Sequence, residues 1–317
     1  MRLLENTPRF DVEDATKIAV EFFGVRAQAR RLPSERDQNF LLNDSEGEKF
    51  VLKIANALET REFLEAQNAV LRHLGTRVSF CQTLVPGVSA EEIVTVSKAG
   101  ATHFARMVRY LPGVPLAEVR TPSSELLRDL GRTMGQLADA LKDFDHPAVH
   151  REFHWDLANG NRVIDELAPL IEDSRLRELV LRCRVERDLQ LRRSVIHGDA
   201  NDYNVLVDPE LMNVSGLLDF GDMVYSYTVG DLAIAIAYVV LDKNDPFAVG
   251  EEVVKGYMDE MMLLPEEVEA LWPLVRLRLG VSVCLATYQR REQPENEYLE
   301  VSQKSIERSL PGLFDRG

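Results

Sequence analysis

The sequence predicts an α+β protein of two lobes: a small N-terminal antiparallel β lobe with a helix, and a larger, mainly α-helical C-terminal lobe. Three observations predict it. Strand-like stretches such as "FVLKIAN" and "THFARMVRYL" crowd the first 111 residues. The cluster "LPGVPL", 111–116, then punctuates the chain with proline and glycine, and helical periodicity dominates beyond it. A chain of 317 residues also suits two domains, since single cores stop growing at roughly 250–300 residues. The lobes are expected over residues 1–108 and 109–317, with a cleft at the joint suited to a small ligand.

Taken in order, residues 11–24, "DVEDATKIAVEFFG", read as a helix that Asp11 caps and Gly24 stops. "ARRLPSERDQNFLLN" and "GEKFVLKIAN" read as two strands around the turn "NDSEGE". Residues 59–74, "ETREFLEAQNAVLRHL", repeat apolar side chains with the helical period, through Phe63, Leu64, Ala66, Val70, Leu71 and Leu74. "EEIVTVS" and "THFARMVRYL" follow as strands. Past the connector, helices are expected around 123–143, 161–190, 229–242, 247–262 and 266–291, with short strands only near 195–207 and 214–220. The longest apolar run, "LAIAIAYVVL" at 232–241, is half the ~20 residues that a membrane span needs, and reads as a buried helix.

Composition narrows the partners. Thirty-seven basic against fifty-two acidic side chains give a net charge of −15, which disfavours nucleic acid or an anionic membrane and attracts cations. Cys81, Cys183 and Cys284 show no C-x-x-C spacing, so a reducing cytoplasm is expected rather than a disulfide framework or zinc site. The N-terminal stretch has early Glu, Asp and Pro and no uninterrupted apolar segment, so it does not read as a signal peptide. His73, His103, His146 and His150 have no metal-ligand spacing.

The chemistry concentrates in "VIHGDANDYNVLVDPELMNVSGLLDFGD", residues 195–222. His197, Asp199 and Asn204 fit H-x-D-x-x-x-x-N, and Asp219-Phe220-Gly221 begins fifteen residues after Asn204. Asn and Asp also mark ordinary hairpin turns. In this order, between apolar runs, they match what phosphoryl transfer needs: a positioned hydroxyl and neutralised phosphate charge. One carboxylate accepts the hydroxyl proton, while an amide oxygen and a second carboxylate hold magnesium, which prefers hard oxygen ligands. The same pattern calls for an upstream lysine on a strand and a glutamate on the next helix. Lys53 in "FVLKIAN" and Glu65 twelve residues later supply both, with Glu62 as a competing partner. A solubilising lysine on an edge strand is the plainer reading of Lys53.

These motifs resemble the aminoglycoside phosphotransferase and choline kinase family, small-molecule relatives of protein kinases. "VIHGDANDYNVLVD" is similar to its catalytic loop, and "GLLDFGD" with "VGDLAIA" to its metal segment and following helix. Within the family, "LPSERDQNF", "VLKIANA", "REFHWDLAN" and "RLRLGVSVCLATYQRREQPENEYL" look most similar to the hydroxylysine kinase branch and to kinase-like domains fused to class III aminotransferases. The resemblance covers about residues 25–300 and implies a protein-kinase-like fold. It implies Asp199 as catalytic base, His197 in support, and Asn204 and Asp219 as ligands of Mg2+ bound with ATP or GTP. By the same resemblance Lys53 contacts the α- and β-phosphates, Glu65 orients it, and Asp231 braces the catalytic loop. The nucleobase would meet backbone groups near Val108 to Tyr110. No G-x-G-x-x-G precedes Lys53; the corresponding loop is "PSERDQN", where Ser34, Asp37, Gln38 and Asn39 would cap phosphates.

The acceptor should lie over Asp199, and three sets of residues are candidates. Asp222, Tyr225 and Tyr227 follow the metal aspartate, His154, Trp155 and Asp156 lie in "HWDLANG", and Arg278, Tyr288, Arg291 and Glu297 lie on the late helix and beyond. Aspartates and aromatic faces suit an ammonium group, and an arginine suits a carboxylate. A small hydroxylated, cationic or zwitterionic acceptor such as a hydroxylysine-like amino acid, an amino alcohol or an aminoglycoside would use both. Each has a plainer role: Trp155 in the core, Asp156 as a helix cap, the tyrosines as strand residues, Arg278 at the surface. Two other classes stand beside the kinase: a nucleotide-binding pseudokinase without turnover, and a metal-dependent hydrolase using Asp199, Asp219 and Asp222.

Overall fold

Asp11 and Asp14 close a reciprocal capping box at the head of helix α1 (Val12–Phe23), and Gly24 ends the helix in the left-handed conformation. The computed structural model describes residues 7–34, 36–186, 189–292 and 302–314. Ala15, Ile18, Ala19 and Phe23 of α1 pack on one face of a sheet through Phe40, Leu52 and Met107. The sheet holds β1 (Ala27–Leu32), β2 (Gln38–Asp44), β3 (Lys49–Ile54) and, after helix α2 (Arg61–Leu74), β4 (Leu84–Val85), β5 (Val94–Lys98) and β6 (Ala101–Arg109). Its order is β1-β2-β3-β6-β4 with β5 also on β6, every pair antiparallel. The expected strand over "ARRLPSERDQNFLLN" is two strands. Pro33 has no N–H for the ladder, so the chain turns after it and pairs Leu32 with Asn39.

The chain divides into two compact units, Met1–Pro112 and Gly113–Gly317. The second opens with β7 (Val114–Pro115), followed by α3 (Ser124–Leu141), α4 (Gly160–Leu167) and α5 (Ser174–Leu181). The helix expected over 161–190 is therefore interrupted: Pro169 lies just past the end of α4, and Asp173 recaps the chain by accepting from Arg175 N and Leu176 N. Next come β8 (Arg193–Ile196), β9 (Val205–Val207), β10 (Val214–Leu217) and β11 (Val224–Tyr227). Helices α6 (Gly230–Val239), α7 (Pro246–Glu260), α8 (Pro265–Glu292) and α9 (Gln303–Ser309) complete it. Helix α6, the expected apolar run, is buried along its whole length. Helix α8 is long and apolar enough to cross a membrane, yet 78% of its most apolar window is buried inside the protein.

Helices α3 and α7 touch backbone to backbone at two glycines. A methyl on Gly256 would overlap the Arg128 carbonyl, and one on Gly131 the Val253 carbonyl. Overpacking of this kind costs about 1–3 kcal/mol, and backbone cannot step aside as a side chain can. Gly256→Ala is therefore expected to lower Tm by at least about 2 °C, read by calorimetry.

Candidate functional site

Two antiparallel pairs present the polar loops at one place in the C-terminal unit. Ile196 at the end of β8 faces Val224 at the start of β11, while Val205 of β9 faces Leu217 of β10. The loop 197–204 therefore leaves and returns beside the loop 218–223, and Leu218 N donates to Asn204 O at 2.8 Å. Asp231, in the first turn of α6 and fully buried, accepts from His197 N and Gly198 N, both at 2.8 Å. Gly198 has φ +81 and lies against the Asp222 carbonyl, so a side chain there would meet both strain and a clash.

His197 is completely buried. Its Nε2 donates to Leu218 O at 2.8 Å, and its Nδ1 accepts from Asp199 N at 3.2 Å. With both ring nitrogens engaged and Phe220 edge-on at 4.6 Å, it ties the two loops together. The supporting part expected of His197 is thus a positioning one, with both ring nitrogens already bonded within the protein.

Asp199 stands at the centre. Its Oδ2 accepts from Asn201 Nδ2 at 2.9 Å and Asn204 Nδ2 at 2.8 Å, and its Oδ1 pairs with Arg278 Nη2 at 2.6 Å. Burial pushes its carboxyl up to about 7; the Arg278 guanidinium opposes that, and Asp222 and Asp219 add to it. Asn204 Nδ2 also donates to Asp199 O at 2.9 Å, which leaves the amide oxygen as its outward donor atom. Asp219 is exposed at φ +63, a conformation that asparagine and aspartate tolerate better than most residues, and its Oδ1 accepts from Gly221 N. Arg151 supports this segment from behind by donating to Gly221 O at 3.0 Å and Met223 O at 3.3 Å. An amide oxygen and an exposed carboxylate are the hard donors magnesium takes, with positions left for phosphates. Among the described residues no group of three or more His, Cys, Asp or Glu is placed to hold a metal.

In the N-terminal unit, Asn39, Lys53 and Arg106 stand opposite one another across β2, β3 and β6 and so share a face of the sheet. Lys53 is 8% exposed and Arg106 5%. Arg106 is held by Asn68 at 3.1 Å and by Gln67, both from α2. Glu65 is corrected: its side chain is 51% exposed and pairs with Arg61, because α2 buries Leu64, Gln67 and Asn68 while Glu65 lies ~100° round from Leu64. Glu62 is exposed as well.

The "PSERDQN" loop divides. Ser34 Oγ accepts from Asn39 Nδ2 at 3.3 Å, on the Lys53 side. Gln38 is buried on the opposite face, where it bonds both backbone groups of Phe10, and Asp37 accepts from Asn56 N; neither is placed to cap a phosphate. Val108 is buried with strands on either side, and Tyr110 N donates to Lys49 O. A nucleobase would have to read backbone groups that the sheet does not already use.

The acceptor candidates are redistributed most. Arg278 is 1% exposed, not a surface residue, and its guanidinium lies 4.5 Å from the Trp155 ring. Trp155 therefore presents that face to the protein's own cation. Asp156 caps a short helix through Ala158 N and accepts from Ser226 Oγ, and Tyr225 stacks on His150 at 4.6 Å. Tyr227 is buried beside Arg193 and lines a separate cavity of about 450 Å³ with Leu157, Asn161 and Leu277. Asp222 is buried with its charge felt by Asp199. His154 and Tyr288 are half-buried, Arg291 bonds Leu170 O, and Glu297 lies outside the described residues. Asn201 was not singled out from the sequence; its position between Asp199 and Asn204 in "DANDYN" was the available signal.

Compared with known proteins, the chain matches the model of the phosphotransferase enzyme family over residues 28–264. It is 34% identical to hydroxylysine kinase of Mus musculus, covering 98% of this chain and 91% of that protein. Among solved structures it resembles amicoumacin kinase hAmiN in complex with AMP-PNP, Ca2+ and Ami, at TM-score 0.71 and 15% identity over 96% of this chain and 94% of that one. It also resembles a microcompartment-associated aminopropanol kinase, at TM-score 0.69 and 19% identity over 96% and 98%. At such identities these two likenesses show the fold alone.

Proposed function

The chain belongs to the phosphotransferase enzyme family, and on that premise we propose that it moves the γ-phosphate of ATP or GTP to a hydroxyl of a small amino-bearing acceptor. Its enzyme class is a phosphotransferase with an alcohol group as acceptor. A hydroxylysine-like amino acid is the leading acceptor, because the 34% identity to a hydroxylysine kinase runs over nearly the whole chain. Amino alcohols and aminoglycosides are the neighbouring classes.

The observation that carries the reading is the meeting of the Asp199–Asn204 loop with the Asp219 loop, joined through Leu218 and Asn204. Asp199 takes the proton of the acceptor hydroxyl as its oxygen attacks phosphorus, and the nucleoside diphosphate leaves. Asn204 and Asp219 would hold Mg2+, which supplies neutralising charge to the phosphate oxygens. Lys53 serves the α- and β-phosphates; Ser34 and Asn39, on or beside its face of the sheet, are the further polar groups for the donor.

Nucleotide consumption with magnesium, in ATP and separately in GTP, tests it against hydroxylysine, homoserine, choline, ethanolamine and several aminoglycosides. One acceptor that stimulates turnover is the expected result. Magnesium-nucleotide binding with no stimulated turnover would favour the pseudokinase, and no nucleotide binding would end the kinase reading.

A further inference from the structure

A buried guanidinium sits directly on the proposed base, and its bonds determine which oxygen of that base can work. Arg278 projects from α8 into the protein interior, where an ion must be paired to be tolerated. Nη2 donates to Asp199 Oδ1 at 2.6 Å, Nη1 to Gly198 O at 3.4 Å and Trp155 O at 3.5 Å, and Nε to Tyr238 Oη at 3.3 Å. The rings of Trp155 at 4.5 Å and Tyr238 at 5.6 Å fix the plane of the group. Four of its five N–H groups are thus engaged with described residues.

The carboxylate is asymmetric in the same way. Oδ2 accepts two N–H bonds, from Asn201 and Asn204, which occupy both of its in-plane lone pairs. Oδ1 accepts only from Arg278 among the described residues, so one lone pair there remains.

We propose that Arg278 is the positioning residue of the reaction: it holds Asp199 so that Oδ1 receives the acceptor proton, and it brings the acceptor hydroxyl in beside the guanidinium. The inference rests on the kinase reading of Asp199. In the step, the acceptor O–H bond breaks and its proton passes to Oδ1. The new bond forms from that oxygen to the γ-phosphorus, and the bond to the nucleoside diphosphate breaks with its electron pair. Arg278, expected to suit an acceptor carboxylate, has a single N–H not engaged by the described residues, and a two-pronged grip on a carboxylate needs two side by side. Specificity for an acceptor carboxylate must come from other residues.

The test compares kcat, acceptor KM and magnesium-nucleotide affinity in Arg278→Met and Arg278→Lys, using whichever acceptor the wild type phosphorylates. Arg278→Met is expected to lower kcat by about 10²-fold, the scale of a misplaced reacting group, with KM and nucleotide affinity within about threefold. Arg278→Lys, which returns a charge and a donor without the fixed plane, should recover about tenfold of the loss. If Arg278→Met does not fold, Arg278→Lys alone carries the comparison, with a kcat deficit at unchanged KM as the expected result. Retained kcat with a raised acceptor KM would make Arg278 a substrate contact and overturn the proposal, as would a kcat loss in Arg278→Met that the lysine does not relieve at all. A wild type that turns over no acceptor removes the kinase reading and this inference with it; turnover that survives Arg278→Met removes this inference alone.

Discussion

Asp199→Asn is expected to lower kcat by about 10²–10⁴-fold, the span that a positioned general base contributes, while magnesium-nucleotide binding stays within about twofold. The substitution keeps the shape of the side chain and an amide oxygen that accepts from Arg278, while its NH2 gives up the two bonds that Oδ2 accepts from Asn201 and Asn204. What is lost is the ability to take a proton. Steady-state kinetics alongside titration calorimetry with a non-hydrolysable nucleotide separates the two quantities. Turnover at the wild-type level would remove Asp199 as base; equal losses of turnover and nucleotide affinity would assign it to donor binding instead.

The second large effect is expected at Asp219. Asp219→Ala removes the one carboxylate proposed to bind the metal, and with it several kcal/mol of charge neutralisation, so kcat/KM should fall by at least about 10²-fold. The backbone gives a built-in control. At φ +63 alanine is strained by about 1–2 kcal/mol, whereas asparagine tolerates the conformation and keeps an oxygen donor. Asp219→Asn should therefore fold like the wild type and fall between it and Asp219→Ala in the magnesium concentration needed for half-maximal rate. A magnesium titration identical in all three proteins would contradict the metal role.

The groups proposed for the chemistry could be named from the sequence because their spacing is local, and the chain brings their two loops together. Asp199, Asn204 and Asp219 lie within twenty-one residues of one another, so a short motif carries their order and type. Lys53 was picked out for a related reason: a charge inside "FVLKIAN" is costly unless it is paired, and the residue is in fact buried. Groups that depend on helix phase were misjudged. Glu65 has the right residue type at a plausible distance, but α2 turns it outward and brings Gln67 and Asn68 in against Arg106. Among the aromatic candidates, neither alternation nor composition could say that Trp155 would be covered by Arg278 or that Tyr225 would stack on His150.

By itself, the sequence determined the α+β class, the helix caps at Asp11 and Gly24, the buried apolar α6 and the order of the residues proposed for phosphoryl transfer, since each lies within one segment. Tertiary structure alone decided how that motif is held. Arg278 reaches Asp199 across 79 residues of chain, and Arg151 reaches Gly221 across 70. Such pairings arise from the packing of α8 and of the segment before α4 around the catalytic loop. A buried charge announces that it needs a partner, but only the folded chain determines which one it meets.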